Sequence, residues 1–224
     1  MTAATVLTMA NGKGIDLLDP NPADIHWASI AEHLAKEKRF NGATPDTEYS
    51  VAQHSYLGAD AILAAGGTEL AAAYFLLHDG HEALIKDDTT PKKRALAILA
   101  EQHFGVLAAH IVSAFELLTY RQDVALHEAA GLQFPPAGKI QAEVKRFDLI
   151  MFVTEWRDLM FDIPHPNPAP YAGIKPLKQR IVPLEWGAAR AGWMLRAARL
   201  LPVLRDLPKL AHGKSRSEQG GASA

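Results

Sequence analysis

Apolar side chains recur every three to four positions along most of this chain, the period of helices that bury one face. The first stretch is different. Thr5–Met9 and Gly14–Leu18 are short apolar runs joined by Asn11-Gly12-Lys13-Gly14, a turn signal that predicts a small β-hairpin. From Asp24, a candidate N-cap, Ile25, Ile30 and Leu34 mark a first helix running to about Lys38. Ser50 opens a second helix with the stripe Val51, His54, Gly58, Ala61 and Ile62, stopped by Gly66-Gly67. A third is expected from Thr68 to about Leu84, with Leu70, Tyr74, Leu77 and His78 on one face. Thr89-Thr90-Pro91 starts the next, and helical pattern continues to Phe104, again through Leu118 and from Arg121 to Ala130. After Pro135-Pro136 a long helix is predicted from about Lys139 to Met160, with Phe147, Asp148, Met151 and Phe152 on its apolar side.

Six prolines between Ile163 and Pro183 exclude a helix there and predict an ordered loop or lid. A last amphipathic helix spans about Leu184–Leu201. The expected fold class is therefore all-α with a small N-terminal β-hairpin. Residues 1–20 form the hairpin extension, 21–205 a single domain with its Pro-rich insertion at 163–183, and 206–224 a polar, small-residue tail read as disordered.

Composition narrows the chemistry. With 48% hydrophobic and 21% charged residues the chain is too apolar to stay unfolded. It has no cysteine, so any metal must be held by His, Asp or Glu. The net charge of −2 and the small basic clusters (Lys92, Lys93, Arg94; Arg196, Arg199) argue against a nucleic-acid polymer as partner. The longest unbroken apolar runs, Ala71–Leu77 and Leu149–Val153, fall well short of a membrane span, so the expectation is a cytoplasmic protein without membrane association.

Against this background three polar residues stand out. His54, His78 and Asp148 occupy apolar-stripe positions on three different predicted helices, where an ionisable group costs several kcal/mol unless paired or metal-bound. Taken singly, each reads more readily as a hydrogen-bonded core residue than as a ligand. Together, on helices that pack around one axis, they can converge, and Asp79 beside His78 would join them. Two imidazoles and two carboxylates suit one divalent first-row metal with positions left open for substrate. Glu82, four residues after His78, falls on the same helical face, either as a group acting on water at the metal or as an exposed helix-end carboxylate. Asp87 and Asp88 read as caps of the helix near Pro91. His33, His103, His110, His127 and His165 lack such spacing, and His81 is read as exposed.

At these residues the chain resembles the HD-domain phosphohydrolases, which carry a histidine on one helix, a His-Asp pair on another and a distant aspartate on a third. Here these are His54, His78-Asp79 and Asp148, and the resemblance covers about Ala23 to Met160. The longer run His78-Asp79-x-x-Glu82 to Asp87, followed by Thr90-Pro91-x-Lys93, resembles the 5′-deoxynucleotidase branch and its phage relatives that hydrolyse deoxynucleoside triphosphates. The resemblance implies an HD helical bundle, one divalent ion (Mn, Co, Zn, Fe or Mg) on His54, His78, Asp79 and Asp148, and a homodimer. It implies that Glu82 assists the attacking water, that Asp87 contacts sugar or water, and that Lys93 lies near the phosphate path. Arg39 and Phe40 match an arginine that holds phosphate and an aromatic residue that packs on deoxyribose, with Phe standing where the branch often has Trp. The implied activity is removal of phosphate from 5′-(deoxy)nucleoside monophosphates. The alternatives are attack on a deoxynucleoside triphosphate, di-iron oxygenase chemistry, for which His81 is the one nearby extra ligand, and a nucleotide sensor that does not hydrolyse.

Overall fold

The computed structural model describes residues 3–45, 47–160 and 164–205. The hairpin forms as its turn signal predicts: β1 (Val6–Thr8) pairs antiparallel with β2 (Gly14–Asp16), with Leu7 opposite Ile15. All other regular structure among the described residues is helical, so the fold is all-α with a small N-terminal hairpin.

The first helix, α1 (Trp27–Lys36), starts later than the sequence suggests. Asp24 is not its cap. Asn21 accepts from Ala23 N and closes a 3-10 turn over Pro22–Asp24, and the His26 side chain then caps α1 by accepting from Ser29 N at 3.3 Å. Ser50 does cap α2 (Val51–Ala64), accepting from Gln53 N. The third helix, α3 (Glu69–Leu77), is shorter than its apolar pattern, because the His78 ring takes the Phe75 carbonyl at 2.6 Å and the backbone tightens into i→i+3 turns. Glu82 therefore begins a separate short helix, α4 (Glu82–Ile85), instead of continuing α3.

Beyond it come α5 (Thr90–Phe104) and α6 (Ala108–Ala129), the latter unbroken where an interruption was expected after Leu118. Thr119 spends its hydroxyl on Phe115 O inside the helix, so no break arises. Gly105, at φ 51°, folds α5 back along α6 as a hairpin, and Leu96 comes to line one crevice with Val112 and Phe115. The run Thr90–Ala129 contains an 18-residue window of mean hydropathy 1.5, apolar and long enough to cross a membrane, with 6% of that window buried. Counting unbroken apolar runs overlooked it because histidines and a glutamate interrupt them.

The long α7 (Gly138–Leu159) and α8 (Trp186–Leu200) complete the body, followed by a last turn, α9 (Pro202–Arg205). The core is centred on α2 and α3, which are covered by α1, α7 and α8. A Cβ on Gly58 would stand 2.0 Å from the Phe75 ring, so α2 and α3 approach more closely than any larger residue allows. The Pro-rich segment has no regular structure beyond a 3-10 turn at Ala169–Tyr171, and its Ile163 lies outside the described residues, as does the predicted tail 206–224.

Candidate metal centre

The close α2–α3 contact sets His54, one turn before Gly58, against His78 at the end of α3. Both rings are oriented from behind. His54 Nδ1 donates to Glu155 at 2.5 Å, and His78 Nδ1 donates to the Phe75 carbonyl. Each is thereby fixed with Nε2 facing inward, and the two Nε2 atoms stand 3.3 Å apart. Asp148 of α7 brings Oδ1 to 3.4 Å from His54 Nε2 and 3.7 Å from His78 Nε2. Asp79 Oδ2 lies 3.7 and 3.3 Å from the same atoms.

Two inward imidazole nitrogens at this separation repel unless a proton or a cation lies between them. The surroundings supply the field for one. Burial opposes protonation of His78, but Asp79 and Asp148 outweigh it and raise the ring to about 9. For His54, burial and Arg39 oppose, while Glu155 and Asp148 prevail and raise it. Conversely, both imidazoles hold Asp148 well below the carboxylate range against burial. His54, His78 and Asp148 offer ligand atoms all within 4.8 Å of one another, a group compatible with a metal ion.

Glu82 sits at the edge of this well, 7% exposed, with Oε2 buried and without a hydrogen-bond partner among the described residues. Burial pushes its carboxyl up to about 10, and Asp79 and Asp87 push the same way. A buried carboxylate oxygen of this kind calls for a partner. Asp87 is half-buried nearby and is raised by burial together with Asp79 and Glu37.

Arg39 reaches the centre from the loop before α2. That loop is closed at its neck by Arg39 N to Tyr49 O and Val51 N to Glu37 O. Its guanidinium bridges Asp79 at 3.2 Å and Glu155 at 3.1 Å. Phe40, in the left-handed region at φ 56°, lies beside it, its ring centroid 5.7 Å from the Arg39 guanidinium carbon, 5.8 Å from the Phe152 centroid and 6.2 Å from that of Trp156. A bulky residue held in that region costs roughly 1–3 kcal/mol.

The structure thus gathers His54, His78, Asp79, Asp148, Glu82 and Arg39, and leaves Asp87 at the margin. Lys93 lines the α5–α6 crevice with Leu96 and Phe115 and is within electrostatic reach of Asp87. His81 is half-buried, not exposed, its Nδ1 3.0 Å from Asp123 of α6. Two contributors were not foreseen. Glu155, fully buried, accepts from His54, Arg39 and the Tyr49 hydroxyl at 3.0 Å. Its spacing of seven from Asp148, two turns along the same stripe, was the available signal. Tyr49 gave none, since a buried aromatic residue before a helix reads as core.

No family model matches the chain. An uncharacterized protein of Rhodobacter capsulatus is 43% identical over 91 residues, a stretch that makes up 39% of this chain and 46% of that protein. The chain therefore matches about half the length of that curated relative, whose printed name carries no activity.

Proposed function

We propose that this protein is a metal-dependent phosphohydrolase of the HD type acting on nucleotides, with 5′-(deoxy)nucleoside monophosphates as the preferred class. The observation that carries the reading is the meeting of His54 and His78 Nε2 at 3.3 Å, flanked by Asp79 and Asp148 and bordered by the unpaired Glu82 oxygen. Asp79, Asp148 and Glu155 face one guanidinium, Arg39, so once the two imidazoles give up their protons to ligate, two negative charges remain. That residue of charge fits a divalent ion. When bound, such an ion supplies Lewis acidity toward phosphate oxygen and acidifies water.

The chain's own groups supply the rest. Glu82, kept from its ionised form by burial, is poised to take a proton from water and pass it on once a cation stabilises its carboxylate. Arg39 has used part of its fork on Asp79 and Glu155, and the remaining N–H groups are available to a phosphate oxygen beside them. Glu155 holds His54 in one tautomer and Arg39 in one orientation, so the centre is positioned before substrate arrives.

The test is phosphate release by metal-stripped protein reconstituted with Mn, Co, Zn, Fe or Mg, against deoxy- and ribonucleoside mono- and triphosphates. Metal-dependent phosphate from monophosphates is the expected result. Tripolyphosphate from deoxynucleoside triphosphates would transfer the reading to a triphosphohydrolase, and no turnover with any metal overturns both.

A homodimer belongs to the same proposal, supported by the α5–α6 hairpin. Ile98, Leu99, Phe104, Val106 and Leu107 are each more than half exposed, Val106 at 91%. Between Ala95 and Phe115 the charged side chain is Glu101 alone. Such a face offers several hundred Å², on the order of the ~800 Å² per partner that a specific interface buries. A second copy placing its own hairpin there would close a four-helix bundle.

A further inference from the structure

The Pro-rich segment is strapped to the body. Arg157 of α7 donates to the carbonyls of Leu177 at 2.6 Å and Gln179 at 3.1 Å. Asp158 accepts from Arg180 at 2.6 Å and from Ile181 N at 2.9 Å. Gln53 of α2 then bonds Val182 O and Leu184 N. These anchors fix where the preceding residues fall. Tyr171 stacks on Phe152, with centroids 4.2 Å apart and planes 15° apart, and His165 meets Trp156 edge-on at 4.5 Å. Between the segment and α7 remains a cleft of about 430 Å³ whose walls include Phe152, Trp156, His165 and Tyr171. That volume lies within the range of small-molecule sites, and its lining is aromatic.

The cleft and the metal centre draw on neighbouring positions of α7. Phe152 follows Asp148 by four residues, about one turn or ~6 Å along α7, and Trp156 follows Glu155 directly. Phe40, next to Arg39, packs on both Phe152 and Trp156. The Tyr171 hydroxyl, raised mainly by burial, also feels the Asp148 carboxylate, which puts the ring within electrostatic reach of the centre. A ligand with its phosphate at Arg39 therefore has an aromatic surface at hand, since the Phe40 ring 5.7 Å from that guanidinium leads on to Phe152 and Trp156.

We infer that this cleft is the seat of the nucleobase, with Tyr171 and Trp156 as the residues that recognise a planar aromatic ring beyond the sugar phosphate. The inference rests on the nucleotide reading above and adds a site that the minimal centre lacks. Stacking is tolerant of base identity, so the cleft selects nucleotides over plain sugar phosphates more than one base over another.

The test compares deoxyadenosine 5′-monophosphate with 2-deoxyribose 5-phosphate, which share phosphate and sugar and differ by the base. Binding is measured by calorimetry on metal-free protein and on Mn-loaded Glu82→Gln protein. The expected result is a preference for the nucleotide of about ten- to a hundredfold, the worth of a base–aromatic stack. Tyr171→Ala should shrink it to a few-fold while Tyr171→Phe keeps it. Tyr171 lies on the strap outside the core, and thermal melting of each variant separates lost folding from lost recognition. Absence of any preference in both forms of the protein overturns the inference, as does a preference unaffected by Tyr171→Ala and by Trp156→Ala. The two readings fail separately: base preference without phosphate release with any metal removes the hydrolase and leaves the cleft, whereas equal turnover of both compounds removes the cleft and leaves the hydrolase.

Discussion

The α2–α3 pair and the α5–α6 pair are both antiparallel helical neighbours, yet they partition their side chains in opposite ways. In the first, Ala52, Ala59, Ala72, Phe75 and Leu76 are buried, and among them His54 is at 0% exposure. In the second, leucines, an isoleucine and a phenylalanine face outward, and α6 becomes buried only near its return to the body, at Gln122, Ala125, Leu126 and His127. A stable domain puts apolar groups in and ionisable groups out, so each departure needs its own explanation. In the body the departure is an ionisable group inside, which the proposed metal ion would explain. In the hairpin it is apolar surface outside, which the proposed second copy would cover.

The sharpest way to break the first half of the comparison is to remove a ligand. Asp148→Ala and Asp79→Ala should each abolish metal retention, read as metal per chain by plasma spectrometry, and with it all phosphate release. Glu82→Gln should retain the metal and lose about 10²–10⁴ in turnover, the usual worth of a general acid–base group. Metal loss in the Glu82 variant would move that residue into the ligand set and sink its assigned role.

Next in size is Glu155, which touches no substrate. Glu155→Gln removes the charge facing Arg39 and replaces one of the two oxygens that accept from Arg39, Tyr49 and His54 by an NH2 donor, so one of these buried donors loses its acceptor. Metal affinity should fall about 10–100-fold, the typical effect of losing a carboxylate behind a ligating histidine. Stability should also drop by about 3–5 kcal/mol, as for a broken buried ion pair. An unchanged metal affinity would reduce Glu155 to a structural residue.

Smaller effects separate the two helix pairs directly. Leu76→Ala, at a fully buried position of α3, should cost about 2–5 kcal/mol in denaturant unfolding. Leu99→Ala on the open hairpin face should stay within about 0.5 kcal/mol for the monomer. Val106→Lys combined with Leu107→Lys should turn a sedimenting dimer into a monomer with an unchanged metal content. Wild-type protein that sediments as a monomer and pellets with lipid vesicles would give the hairpin to a membrane surface instead.

How much of this could be read beforehand follows the physics of each signal. Helical periodicity carried α2, α5, α7 and α8 to within a few residues, because their caps, Ser50 and the Pro91 turn among them, are local. It overran α3, since the event that ends α3 is a side-chain bond from His78 that an apolar pattern does not encode. The inward placement of His54, His78 and Asp148 was legible as a conflict between polarity and stripe. Glu155 lay in that same stripe and was overlooked, and the aromatic cleft was hidden because Tyr171 and His165 reach Phe152 and Trp156 through a strap whose path depends on long-range bonds from Arg157, Asp158 and Gln53. The open hairpin face was invisible for a different reason: periodicity reports that a helix has an apolar side and says nothing of whether the protein covers it.

The finest test uses pH. In the metal-free protein His78 has its proton held to about 9, above the ordinary value of about 6.5, so its contribution to stability is complete below 6.5 and disappears as pH rises through 9. Glu82, raised to about 10, acts in the same direction, since the folded state keeps a proton that the unfolded chain gives up near pH 4.5. The metal-free protein should therefore melt at progressively lower temperature from pH 6 to pH 9. A metal ion competes with the His78 proton and gains on it as pH rises. The increase in melting temperature on adding Mn should accordingly be a few degrees larger at pH 9 than at pH 6, measured by scanning calorimetry at fixed free metal. An increment that is flat across this range would mean that the ion does not displace the His78 proton, and the assignment of that nitrogen as a ligand would fall.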